Sequence, residues 1–166
     1  NLASTPLSAW VLIARLEDVL AAANPRLERI SSGRYQLVAV SDDGTASRKS
    51  GLGLAIIDPA TEAVRSPRTL SGGDTFYTSL ALALGLADVV SAEAGGVELR
   101  TMFIVEGFGS LDSHTLARVM EQLQALRCAG RTVGVISHVE EMATQIADQI
   151  QVRPLAQGGS TLSVRA

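Results

Sequence analysis

Lysine is almost missing from this chain. Lys49 is the only one in 166 residues, and every other basic side chain apart from the histidines is arginine. The usual phosphate cradle, Gly-x-x-x-x-Gly-Lys-Ser/Thr, sets its lysine between a glycine and a hydroxyl residue. Ser50 follows Lys49, but Arg48 and Asp43 stand where the two glycines belong, and neither bends as glycine does. A self-contained phosphate loop is excluded. Cysteine is as scarce. Cys128 is alone, so it closes no internal disulfide, has no ligand partner nearby and suits a reducing cytoplasm. Aromatic residues make up 4%, which leaves Leu, Val, Ile and Ala to fill the core. No apolar run reads as long enough to cross a membrane, and the start of the chain has no signal-peptide layout, so no membrane association is expected. The net charge is −3, and the basic residues are scattered apart from Arg48-Lys49 and Arg65/Arg68. Duplex binding rests on clustered cations. Any DNA contact is therefore expected mostly from other parts of an assembly.

What is present is organised around Leu70-Ser71-Gly72-Gly73-Asp74-Thr75-Phe76. Ser71 is a good N-cap for the apolar helix that follows. Gly72 and Gly73 leave backbone N–H groups open at the positive end of that helix, an arrangement suited to phosphate. A plainly capped helix accounts for the same residues. Downstream, Thr101–Val105 is a short apolar run fit for a buried parallel strand. It ends at Glu106, before Gly107-Phe108-Gly109-Ser110-Leu111-Asp112. A second such run, Thr132–Ile136, ends at Ser137-His138.

Three polar devices at the ends of consecutive elements, in this order, resemble the second half of an ABC-type ATPase head. The wording Leu-Ser-Gly-Gly-Asp-Thr-Phe, Glu-Gly-Phe-Gly-Ser-Leu-Asp and Ile-Ser-His-Val-Glu-Glu-Met is similar to the C-terminal lobe of SbcC-type, SMC-like DNA-repair ATPases. Transporter ATPases usually carry Pro-Thr after the glutamate, and SMC proteins proper Val-Asp. The resemblance implies ATP and Mg²⁺, bound only with an N-terminal lobe that supplies the phosphate loop. Ser71, Gly72 and Gly73 would face the γ-phosphate of nucleotide held on a second head, and Asp112 would couple the two sites. Glu106 would polarise water, and His138 would hydrogen-bond the γ-phosphate. The other implied partners are an SbcD-like nuclease and, through the complex, DNA with double-strand breaks or hairpins. One departure stands out: Val105 occupies the position of an aspartate that helps hold Mg²⁺ in this family, so no metal ligand is assigned. A non-hydrolysing structural half-head, contributing a dimer interface and a coiled-coil root, is the alternative.

The expected fold class is α/β, the C-terminal lobe of such a head, with a mostly parallel sheet, flanking helices and a small antiparallel meander, in a single domain over 1–166. Residues 1–8 carry no expected structure. Residues 9–30 read as a helix, by resemblance the root of a coiled coil, with a kink or break at Asn24-Pro25 where Asn24 caps the second piece. Strands are expected over 33–40 and 52–58 around an Asp42-Asp43-Gly44 turn. Helices follow from Asp74 to about Ser91, from Asp112 or Ser113 to Ala129, and from Val139 to about Ala147. Ile150–Val152 and Leu162–Val164 close the chain as a hairpin. His114 reads as a surface residue of a helix start.

Overall fold

In the computed structural model, which describes residues 7–41, 52–95 and 99–165, the first element is α1 (Leu7–Ser31). Val19, Leu20, Ala23, Leu27 and Ile30 recur at helical spacing and are all buried, the apolar stripe of a helix that packs on one side. The helix includes Leu7 and Ser8, which the sequence left unstructured. It also runs unbroken through Asn24-Pro25. Proline inside a helix costs about 3 kcal/mol, yet Asn24 does not cap a second piece. Its amide donates to the Leu37 carbonyl at 2.9 Å and accepts from the Leu37 N–H at 2.8 Å. A neighbouring strand thus takes the side chain that was expected to end the helix. Ser32 and Gly33 stop it with left-handed φ of 56° and 74°, and the Gly33 N–H donates to the Glu28 carbonyl at 2.8 Å.

That bend delays the next strand, β1, to Gln36–Ser41. With β2 (Leu52–Asp58) and β3 (Ala63–Arg65) it forms an antiparallel meander, in which Leu37 lies opposite Ile56 and Ile57 opposite Val64. The expected turn at 42–44 and the Arg48-Lys49 pair lie outside the described residues. After a 3-10 turn at Pro67–Thr69 come α2 (Gly72–Glu93), β4 (Thr101–Val105), α3 (Ser113–Cys128) and β5 (Thr132–Ile136). The chain continues with α4 (Glu140–Gln145), β6 (Gln149–Pro154) and β7 (Ser160–Arg165). β4 and β5 are parallel, with Val105 opposite Ile136. β6 and β7 form an antiparallel hairpin. The fold is α/β, and among the described residues its parallel part is the β4–β5 pair, beside two antiparallel sheets.

One cluster of buried residues joins α1, the meander, α2, α3 and α4. Aromatics contribute more to it than their scarcity suggested. Tyr35, Tyr77 and Phe108 are buried; Tyr35 stacks on Tyr77 and Phe76 meets Phe108 edge to face at 4.9 Å. α2, at 22 residues, is by length and composition apolar enough to cross a membrane, contrary to the reading of the sequence. In the fold its Tyr77, Leu80, Ala81 and Leu84 are part of the core. Gly85 lets α1 come close: a Cβ there would stand 2.8 Å from the Val19 carbonyl oxygen and from the Ala23 nitrogen.

The two faces of the parallel pair differ. Met102, Ile104, Val133 and Val135 pack against the core. On the other face Phe103 and Val105 are 71% and 63% exposed, with Ile136 beside Val105. The hairpin repeats the pattern: Ile150 pairs with Val164 and Val152 with Leu162, and all four are exposed. Nothing among the described residues covers these apolar faces.

Candidate functional site

α2 starts where its sequence says it should. Ser71, in extended conformation, caps the helix, its hydroxyl oxygen accepting the Asp74 N–H at 3.2 Å. The same hydroxyl donates to Asp74 Oδ2 at 2.6 Å, and Tyr77 donates to Asp74 Oδ1 at 2.6 Å. Tyr35, from the α1–β1 connection, donates to Asp74 Oδ2 at 3.3 Å. Burial alone would raise the Asp74 pKa, but the Ser71 and Tyr77 hydroxyls and the charge of Arg34 outweigh it, and the carboxyl lies below its usual range. Burial, then the bond to Asp74, pushes the Tyr77 phenol up. Asp74 is therefore a carboxylate and Tyr77 a neutral phenol across the neutral range.

β4 delivers Glu106 one residue past its end. The Glu106 N–H still donates to the Ile136 carbonyl at 2.8 Å, so the residue is pinned to β5 while its backbone turns left-handed, φ 58°. A non-glycine residue there is strained, and such strain gathers at functional sites. Gly107 follows at φ 96°, and a Cβ on it would run into the Phe76 ring of α2. A Cβ on Gly73 would stand 2.7 Å from the Ser110 carbonyl oxygen. These two glycines let the 107–112 turn lie directly on the first turns of α2. His138, beyond β5, approaches from the other side: its Nδ1 is 2.9 Å from Glu106 Oε2. A carboxylate only accepts, so Nδ1 carries the proton of that bond. Both side chains are open to solvent.

Asp112 caps α3, taking the Thr115 N–H at 2.9 Å and its hydroxyl at 2.8 Å. Those bonds hold its carboxyl below the usual range. Ser71, Gly73 and Asp112 line one polar cleft of about 330 Å³, together with Arg34, His114 and Arg118. Arg118 donates to the Ile30 carbonyl at 3.1 Å and lies 2.9 Å from the His114 ring. His114 is exposed on the first turn of α3, as expected. Glu106 and His138 form a second group, outside this cleft, joined to it by the glycine turn between them.

Sequence reasoning missed Asp74, Tyr35 and Tyr77. A signal for Asp74 was available: an acid three residues after an N-cap serine has capping-box spacing. Nothing local marks Tyr35, which comes from 39 positions away.

Residues 54–125 match the family model described as SbcC/RAD50-like, Walker B motif. The chain is 42% identical over 154 residues to the SbcC subunit of the nuclease SbcCD of Treponema pallidum (strain Nichols), covering 93% of this chain and 15% of that protein. It is 46% identical over 140 residues to the protein of the same name from Staphylococcus haemolyticus (strain JCSC1435), covering 84% and 14%. The chain thus spans about one seventh of the length of the curated relatives it matches. Among solved structures, it is similar in fold to one from work on ATP-driven dimerization and DNA-stimulated activation of SMC ATPases. The TM-score is 0.71 at 17% identity, covering 94% of this chain and 88% of that one. An SMC head bound to the C-winged helix domain of ScpA gives a TM-score of 0.70 at 17% identity, covering 94% and 44%.

Proposed function

The chain belongs to the SbcC/RAD50-like family through its Walker B domain, and from that premise we propose that it is the C-terminal half of an ATPase head. The head engages ATP across a dimer of heads and so regulates a DNA-repair nuclease acting on double-strand breaks or hairpins. The observation that carries this reading is the seating of the 107–112 turn on the start of α2 through Gly73 and Gly107, with Glu106 and His138 paired alongside. Ser71, Gly72 and Gly73 fit the terminal phosphate of a nucleotide: an N-cap hydroxyl and open glycines sit at the positive end of a 22-residue helix. That nucleotide sits on the opposing head, because this sequence has no phosphate loop of the usual form. ATP would supply the phosphoryl group, with ADP leaving; Glu106 would orient the attacking water, His138 would hydrogen-bond the phosphate oxygens, and Asp112 would report across the dimer from the cap of α3.

The missing phosphate loop belongs to an N-terminal lobe. Its expected seat is the uncovered face carrying Phe103, Val105 and Ile136, too apolar a patch to remain wet in an assembled head. α1 then continues as the root of a coiled coil. A second head and an SbcD-like nuclease complete the assembly, which meets DNA largely through other parts and works in the cytoplasm.

Mg²⁺ does not fit this chain. Val105 offers no oxygen where the resemblance expects an aspartate, so the ion's oxygens would have to come from water, the nucleotide phosphates and the N-terminal lobe. Val105 favours a second reading, a non-hydrolysing structural half-head that contributes only a dimer interface and a coiled-coil root. Restoring the carboxylate tests both. In the assembled head Val105→Asp is expected to raise steady-state phosphate release at least about tenfold, or roughly 1.4 kcal/mol of barrier, with the gain depending on Mg²⁺ concentration. Equal rates at every Mg²⁺ concentration would mean that Val105 does not face the nucleotide.

A further inference from the structure

The Ser71 hydroxyl has one proton, and its direction is fixed by chemistry. Two oxygens 2.6 Å apart share a hydrogen, and an ionised carboxylate can only accept, so the proton points at Asp74 Oδ2. Ser71 Oγ meanwhile accepts the Asp74 N–H. Phosphate oxygens are acceptors and need a donor, and in this arrangement the Ser71 side chain has none to offer. The negative charge of Asp74 also stands directly behind the serine.

Asp74 does not depend on Ser71 alone. Tyr77 holds Oδ1 at 2.6 Å, and Tyr35 reaches Oδ2 at 3.3 Å, well beyond the roughly 2.7–2.8 Å at which such bonds are commonest. The Tyr35 proton is free for this bond, since Arg34 donates to the same phenol oxygen at 2.9 Å. The Tyr35 ring stacks on Tyr77, and the guanidinium groups of Arg34 and Arg65 lie 5.0 Å and 5.5 Å from its centroid. A short inward shift of Tyr35 would replace the bond that Ser71 gives up.

We infer that Asp74 withholds the Ser71 hydroxyl from phosphate in this structure, and that Tyr35, by taking over as donor to Asp74, releases it. Asp74 is thus a positioning residue for Ser71, and the exchange ties the Ser71–Gly73 segment to the segment leaving α1. The inference rests on the reading of Ser71 as a contact to the opposing nucleotide.

The test is the ATP concentration for half-maximal head dimerisation of the full-length protein. Asp74→Asn removes the charge that holds the serine proton and is expected to lower that concentration about fivefold, the net worth of about one hydrogen bond. Tyr35→Phe removes the replacement donor and is expected to raise it by a similar factor. A change that merely weakened the helix cap would not tighten engagement, so the opposite signs separate positioning from stability. Both effects should vanish in a Ser71→Ala background, which itself raises the midpoint. An Asp74→Asn effect of zero or of the opposite sign, or one that survives in Ser71→Ala, overturns the inference while leaving the Ser71 reading intact. A Ser71→Ala protein with an unchanged midpoint removes that reading, and the inference with it.

Discussion

Asp88 shows how much a single residue can tie together. From α2 it meets Arg26 of α1 at 2.6 Å and Arg131, just ahead of β5, at 2.8 Å. Burial alone would raise its pKa, but the hydrogen bonds and charges of Arg131 and Arg26 outweigh that and hold it below the ordinary 3.8. A carboxyl depressed in the folded state adds stability that is present above its unfolded pKa and is lost as pH falls through the folded value. The chain is therefore expected to weaken as pH drops below 3.8, and Asp88→Asn should weaken less steeply. Thermal melts at about pH 6 and about pH 3 are expected to show the wild type losing roughly 1 kcal/mol more than the variant between them. Equal losses would mean that the two arginines do not hold Asp88 in solution. No sequence pattern marks this triad, because its members are 62 and 43 positions apart. Ser71 and Asp112 were legible as helix caps, since capping chemistry is local. The left-handed backbone of Glu106 was not: it arises because β5 pins the Glu106 N–H while Gly107 turns beneath Phe76.

Elements were read best where a short apolar run ends in polar residues. β2, β4 and β5 have the bounds their sequences suggest, because each run is as long as its apolar content. α1 was misread at Asn24-Pro25 because a tertiary partner, the backbone of Leu37, satisfies the asparagine that local rules assign to a cap. α4 is shorter than its pattern, stopping at Gln145 as the chain turns into β6. α1 comes close to α2 at Gly85. In an exposed helix, Gly→Ala stabilises by about 1 kcal/mol; here the new Cβ would sit 2.8 Å from α1 backbone atoms. Overpacking of that kind costs about 1–3 kcal/mol, so Gly85→Ala is expected to destabilise. Urea unfolding with a raised midpoint would show that the helices part easily and that α1 is not rigidly seated on α2.

At the scale of the whole molecule, the apolar faces of β4–β5 and of the β6–β7 hairpin and the lack of a usual phosphate loop point the same way. Both fit the proposal that the chain is one half of a head. Ser71 is proposed to act on nucleotide held by a different head, and complementation between two defective proteins tests this. One full-length protein carries Ser71→Arg, which places bulk and charge where the opposing phosphate would sit. The other keeps Ser71 but has its N-terminal phosphate loop disabled. Neither should dimerise with ATP by itself. Mixed, they form one site from an intact phosphate loop and an intact signature loop, and the heads should pair on a sizing column when ATP is present. A mixture as inert as its parts, or a Ser71→Arg protein that still dimerises alone, would contradict the account.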